Sequence, residues 1–188
     1  MKLIESTVNK NYIFKGKIIN VRCDDAILPN GKPCTREVVD HPGGVCIAAL
    51  NNNNEILFVK QFRYPYMDVI LELPAGKLSP GEDPLACGIR ELAEETGAVA
   101  ENYISLGTLY PSPGYCGEII HMYMATITGF NAPSPDEDEF VEVIPIKLET
   151  AVKMVMDGKI KDAKSQIAIL KLFYLKQQHD AALTSETL

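Results

Sequence analysis

The chain has 188 residues, 46% hydrophobic and 23% charged, and this balance excludes disorder as the main state. Its 25 acidic and 18 basic residues give a net charge of −7, which argues against a surface built to follow a nucleic-acid backbone. No apolar run approaches the ~20 residues of a membrane-spanning helix, and no secretory signature opens the chain. The expected setting is therefore cytoplasmic, with neither nucleic acid nor membrane as partner. Cys23, Cys34, Cys46, Cys87 and Cys116 are odd in number and form no CxxC pair. Reduced, partly buried thiols are expected rather than a disulfide framework or a zinc site. His41, His121 and His179 are scattered and suggest no metal cluster.

Residues 11–22 alternate loosely and read as one strand, and Pro29-Asn30-Gly31-Lys32 reads as a turn. Residues 35–40 are the returning strand, closed by His41-Pro42-Gly43-Gly44. This first part, 1–42, is too small to bury a core and is expected to be a β annex to a domain of 43–188. The apolar runs 45–50 and 56–62 flank polar 51–54 and predict a hairpin. A strand at 69–73 ends at Pro74-Ala75-Gly76. Strands at 104–109 and 119–128 follow, separated by the loop Pro111-Ser112-Pro113-Gly114. A Pro- and acid-rich loop at 131–139 leads to a short strand at 140–145, and helices at 149–157 and 163–178 end the chain. The mixed order of strands and helices favours an α+β class.

Residues 76–98 carry the chemistry. Asp83 is placed to cap a helix, Pro84 suits its first position and Gly97 its terminus. At about 100° per residue, Leu85, Ile89, Leu92, Ala93 and Thr96 share one side, expected to be the packed one. Glu91, Glu94 and Glu95 share nearly the opposite side, at the i, i+3 and i+4 spacings that bring side chains together. Carboxylates so grouped repel one another, and a solvated acidic face is the plain alternative. Arg90 reaches Glu94 but supplies one positive charge, and the loop before the helix adds Glu82. Clustered hard oxygens are what Mg2+ or Mn2+ takes, with phosphates and waters completing an octahedron.

The segment also resembles the Nudix box, Gly-x5-Glu-x7-Arg-Glu-U-x-Glu-Glu-x-Gly-U with U apolar. Gly76, Glu82, Arg90, Glu91, Leu92, Glu94, Glu95 and Gly97 match it, and Ala98 is a small residue at the last apolar position. The resemblance implies an α/β/α sandwich with a mixed sheet, plus a small N-terminal antiparallel sheet. It implies metal-dependent cleavage of nucleoside diphosphates linked to another moiety. It assigns metal binding to Glu91 and Glu95, assistance to Glu94, support to Glu82 and Gly76, orientation of the glutamates to Arg90, and a metal-directed carbonyl to Ala75. Two to three ions per site are implied.

Flanking segments narrow the branch. Residues 36–43, Gln61-Phe62-Arg63-Tyr64-Pro65, Leu71-Glu72-Leu73-Pro74-Ala75-Gly76, Ser112-Pro113-Gly114 and the acidic run 136–143 look like ADP-ribose pyrophosphatases. That likeness implies hydrolysis of ADP-ribose to AMP and ribose 5-phosphate by a homodimer. Arg63 is then a diphosphate or ribose ligand, with a surface salt bridge as the alternative. Arg36 and Glu37 are ligand contacts donated by the partner subunit, or else a plain strand pair. Ile18 lines the adenine pocket, and Glu118 touches the ribose or a metal-bound water. Glu137 or Glu139 is the general base, with a solvated acidic loop as the alternative. GDP-mannose or another nucleotide sugar is the competing substrate, and a non-catalytic ADP-ribose sensor is the competing function.

Overall fold

The computed structural model describes residues 3–135 and 139–185. The chain forms two compact units: residues up to Gly43 together with Tyr110–Ile119, and Gly44–Leu109 together with the residues from Ile120 onward.

The first unit is a four-stranded antiparallel sheet of β1 (Ser6–Asn9), β2 (Tyr12–Lys15), β3 (Asn20–Ile27) and β4 (Pro33–Asp40). β3 is central, with β4 along one edge and β1 and β2 sharing the other. The single strand expected at 11–22 is in fact a hairpin. The Gly16 amide donates to the Ile19 carbonyl at 2.9 Å and turns the chain, so Ile18 lies in the turn rather than on a strand. Residues 110–119 join this unit because β4 holds them by its backbone. The Val39 amide donates to Tyr115 O at 2.8 Å and the Gly117 amide to Val39 O at 2.9 Å. Arg22 pairs with both Asp24 and Asp40. Every residue of β1 and β2 is exposed, Val8, Tyr12, Ile13 and Phe14 among them.

The second unit is a seven-stranded mixed sheet with helices on both faces. Its elements are β5 (Gly44–Leu50), β6 (Glu55–Arg63), a 3-10 turn (Tyr64–Tyr66), β7 (Asp68–Glu72), β8 (Ala75–Lys77), α1 (Pro84–Thr96), β9 (Ala98–Leu109), β10 (Ile120–Phe130), β11 (Val141–Lys147), α2 (Leu148–Met156) and α3 (Ala163–Ser185). The order is β11-β6-β5-β10-β9, and only the β5–β10 pair is parallel. Successive strand residues face opposite sides, so β5 serves two cores. Cys46 and Ala48 face a core shared with Phe58, Leu148 and Ile169, under α2 and α3. Val45, Ile47 and Ala49 face a second core with Cys87 and Leu92 of α1. Among the described residues no helix is long and apolar enough to cross a membrane.

The expected hairpin of β5 and β6 holds only at its turn end, at Leu50↔Ile56. Beyond that the strands part. β7 then pairs with β6, β8 pairs with β5, and the Ile47 amide donates to Pro74 O at 3.0 Å. Ala75–Lys77, expected as a strand end, is thus a strand of its own, seated in the opened sheet beside α1.

Candidate active site

The helix termini follow local rules. Asp83 Oδ1 accepts the Ala86 amide at 2.9 Å, Pro84 opens α1, and Gly97 ends it at φ 70° with its amide on Ala93 O. The face that α1 buries meets the expected one only at Leu92 and Thr96. Ile89 and Ala93 are exposed, and the buried stripe is Cys87, Gly88, Glu91, Leu92, Glu95 and Thr96. The cause is Gly88. A Cβ there would lie 2.6 Å from Ile47 Cδ1 and 3.0 Å from Val45 Cγ2, so its missing side chain lets the helix sit directly on β5. That rotation carries Glu91 and Glu95 inward.

Gly76 performs the same service from the sheet. A Cβ at that position would overlap the Glu91 carboxylate. Gly76→Ala is therefore expected to destabilise the fold by about 1–3 kcal/mol, as overpacking does, and to lower activity in the same variant. Thermal melts and turnover on matched samples check both.

Arg90 gathers the outer carboxylates. Its Nε donates to Glu82 Oε1 at 3.0 Å and its Nη1 to Glu94 Oε2 at 2.8 Å, and Nη1 also lies 2.9 Å from Glu91 Oε1. Glu82 is held further by the Ser79 amide at 2.8 Å, and with the Arg90 bonds first in importance its pKa falls to about 2. Among the described residues Glu95 makes no such ion pair. Its Oε2 accepts the Ala75 amide at 3.0 Å, and it is 2% exposed. Burial raises its pKa to about 8 against that amide and the charge of Arg63, and the charges of Glu91 and Glu139 add to the rise. Glu91 is also raised, chiefly by burial, with Arg90 opposing.

This donor set fits a divalent hard cation. Glu91 and Glu95 lie one helical turn apart beside the Ala75–Gly76 backbone, all donors are oxygen, and one guanidinium faces several carboxylates. Among the described residues no three acidic, His or Cys groups already converge as a cage. Glu91 and Glu94 are turned toward Arg90, whose charge they share, so an ion would compete with Arg90 for them.

The loop after β10 docks on the end of α1. The Asn131 amide donates to Gly97 O at 2.7 Å and the Ser134 amide to Glu94 O at 3.0 Å. Glu139, at the far end of that loop, is half-buried and acts electrostatically on Glu91 and Glu95. Glu137 lies outside the described residues. Arg63 makes a two-point bond with Glu72, Nε to Oε1 at 2.7 Å and Nη2 to Oε2 at 2.9 Å. Glu72 and its second cation, Lys164, were not singled out from the sequence. The available signal was a carboxylate inside the apolar run 69–73.

The remaining candidates belong to the first unit. Arg36 binds Glu5 at two points, 2.8 and 2.6 Å, and Glu37 is exposed on β4. Ile18 is 60% exposed. Glu118 lies 3.5 Å from His41 Nδ1, which accepts the Gly43 amide.

The NUDIX domain model matches residues 40–166. The model of the nucleoside diphosphate sugar hydrolase N-terminal domain matches residues 5–39. The chain is 44% identical over 169 residues to an ADP-ribose pyrophosphatase of Bacillus subtilis (strain 168), covering 89% of this chain and 91% of that one. It is 42% identical over 167 residues to a methanol dehydrogenase activator of Bacillus methanolicus, covering 88% and 90%. A crystal structure of an ADP compounds hydrolase superposes with a TM-score of 0.80 over 93% of this chain and 95% of that chain. At 19% identity this is a likeness of fold.

Proposed function

We propose, from the premise that this chain belongs to the Nudix family of hydrolases, that it cleaves ADP-ribose to AMP and ribose 5-phosphate. The observation that carries the reading is the buried Glu95 beside Glu91 and the Ala75 peptide, backed by Arg90 and its carboxylates.

Glu91, Glu95 and Glu94, with the Ala75 carbonyl, would hold two to three Mg2+ or Mn2+ ions. When bound, such ions neutralise charge on phosphoryl oxygens and lower the pKa of water. Arg90 keeps the glutamates in register as charge builds. Arg63 grips the diphosphate with the N–H groups that Glu72 does not use. Glu139, or Glu137 on the same loop, takes the proton of the attacking water. Arg36 and Glu37 act as ligand contacts donated across the dimer, Ile18 lines an adenine pocket between subunits, and Glu118 touches the ribose or a metal-bound water. A cytoplasmic setting belongs to this reading, since the five cysteines are odd in number and form no CxxC pair.

The test is a panel of ADP-ribose, GDP-mannose, ADP-glucose, NADH and diadenosine polyphosphates with Mg2+, scored by product release. Preference for GDP-mannose would move the assignment to that substrate. Binding of ADP-ribose without turnover would mark a sensor.

The active species is a homodimer in this reading, because the exposed apolar residues of β1 and β2 need a cover. Light scattering is expected to give twice the chain mass. If the partner supplies Arg36 and Glu37, mixing Arg36→Ala with Glu95→Gln protein forms heterodimers with one intact site and restores part of the activity. A fully active monomer contradicts the arrangement, and a proven dimer without complementation contradicts the sharing.

A further inference from the structure

Glu72 ends β7 between Leu71 and Leu73 and is 3% exposed. Two cations close over it. Arg63 holds it at two points, and Lys164 Nζ, in the first turn of α3, donates to the same Oε2 that receives Arg63 Nη2. Lys164 also pairs with Asp162 at 3.0 Å. Asp162 Oδ2 accepts the Ser165 amide at 2.9 Å, and Ser165 Oγ accepts the Leu73 amide at 2.8 Å. The start of α3 and the end of β7 are thus tied on both sides of the Glu72–Lys164 contact. Lys164 is itself largely covered, its side chain 11% exposed, so its ammonium faces these two carboxylates more than solvent.

Arg63 differs. Its side chain is 38% exposed, and Nη1 has no hydrogen-bond partner among the described residues. After Glu72, the charges acting on it include Glu95, which places it in electrostatic reach of the candidate metal ligands. A guanidinium bonded at two points lies in the plane of its carboxylate. Whatever sets the plane of Glu72 therefore sets the direction of the free edge of Arg63.

We propose that Lys164 is a positioning residue: by anchoring Glu72 Oε2 it locks the Nε/Nη2 edge of Arg63 and presents the Nη1 side to the substrate diphosphate. This rests on the reading of Arg63 as a diphosphate ligand. Burial opposes charge on Glu72, but the Arg63 bonds and Lys164 outweigh it and hold its pKa at about 2, so the grip persists at any working pH.

The experiment is a double-mutant cycle on the full chain with Mg2+. It reads KM and kcat for ADP-ribose, and by calorimetry the Kd of ADP-ribose in chelator, where turnover does not intervene. Lys164→Met is expected to raise KM and Kd about tenfold, the factor carried by one charge-assisted hydrogen bond, with kcat moving far less. In an Arg63→Ala background the same change is expected to have less than about a twofold effect. Lys164→Arg, which keeps the charge and donors, should recover part of the loss. Parental KM and Kd in folded Lys164→Met, or an undiminished effect without Arg63, overturns the proposal alone. Unchanged KM and Kd in Arg63→Ala overturns the substrate role of Arg63 and this proposal with it. If Lys164→Met does not fold, Glu72→Gln takes its place in the cycle, with the same loss and the same dependence on Arg63 expected.

Discussion

Glu95→Gln is expected to lower turnover by ~10³ and to raise the melting temperature of the metal-free protein at pH 8. The first effect follows from the several kcal/mol that a bound cation contributes to the transition state, each 1.4 kcal/mol being about a factor of ten. The second follows from burial. Glu95 is 2% exposed, and its pKa stands at about 8 against 4.5 in an unfolded chain. Between those values the folded state keeps a proton that the unfolded state has lost. Stability from this group is thus fully present below 4.5 and declines as pH rises to about 8, by roughly 1.4 kcal/mol per pH unit. Glutamine still accepts the Ala75 amide and does not ionise, so the variant loses that slope. A divalent ion replaces the proton, so Mg2+ should raise the parent's melting temperature more at pH 8 than at pH 6. Melts across pH 5–8.5, with Mg2+ and with chelator, measure all of this. A flat metal-free profile in the parent, or full turnover in excess chelator, would contradict the assignment.

Glu139→Gln is expected to reduce kcat by about 10²–10⁴ while changing KM little, the pattern of a lost general base. Its loop is pinned to the end of α1 through Gly97 O and Glu94 O. The position of Gly97 is doubly constrained there, since a Cβ on it would strike Asn131 O. Glu139 then adds its charge to those of Glu91 and Glu95, where a carboxylate can act on a water held between them and the substrate. Glu137→Gln is the paired measurement. A large loss there, with Glu139→Gln near the parent, moves the base to Glu137. If both keep kcat within about threefold, the base lies elsewhere. Glu118 or Glu142 is then next, the latter 3.4 Å from Lys60.

Much of the site was legible along the chain because it is local. Asp83, Pro84 and Gly97 set the limits of α1 through bonds spanning a few residues. Arg90 reaches Glu94 one turn on and Glu82 in the adjoining loop. The apolar run of β5 likewise marked a strand, and the structure buries it on both faces. The face of α1 was another matter. Counting apolar residues put Ile89 and Ala93 inside and the glutamates outside, yet Gly88 against Ile47 and Val45 turns the helix the other way. Hydrophobic periodicity locates a buried stripe only where burial is apolar, and here two carboxylates lie within the stripe.

The tertiary structure alone decided the partners of groups far apart in sequence. Nothing local pairs Lys164 with Glu72, 92 residues away, or seats Ser134 on Glu94. It also decided that β5 and β6 separate after one paired position, making room for Ala75–Lys77 beside α1. Residue order specifies which groups carry charge and where a helix begins. Packing sets which of those charges lose their water and which keep a cation, and this separates Glu95, kept protonated to about pH 8 by burial, from Glu82, kept ionised down to about pH 2 by its Arg90 bonds.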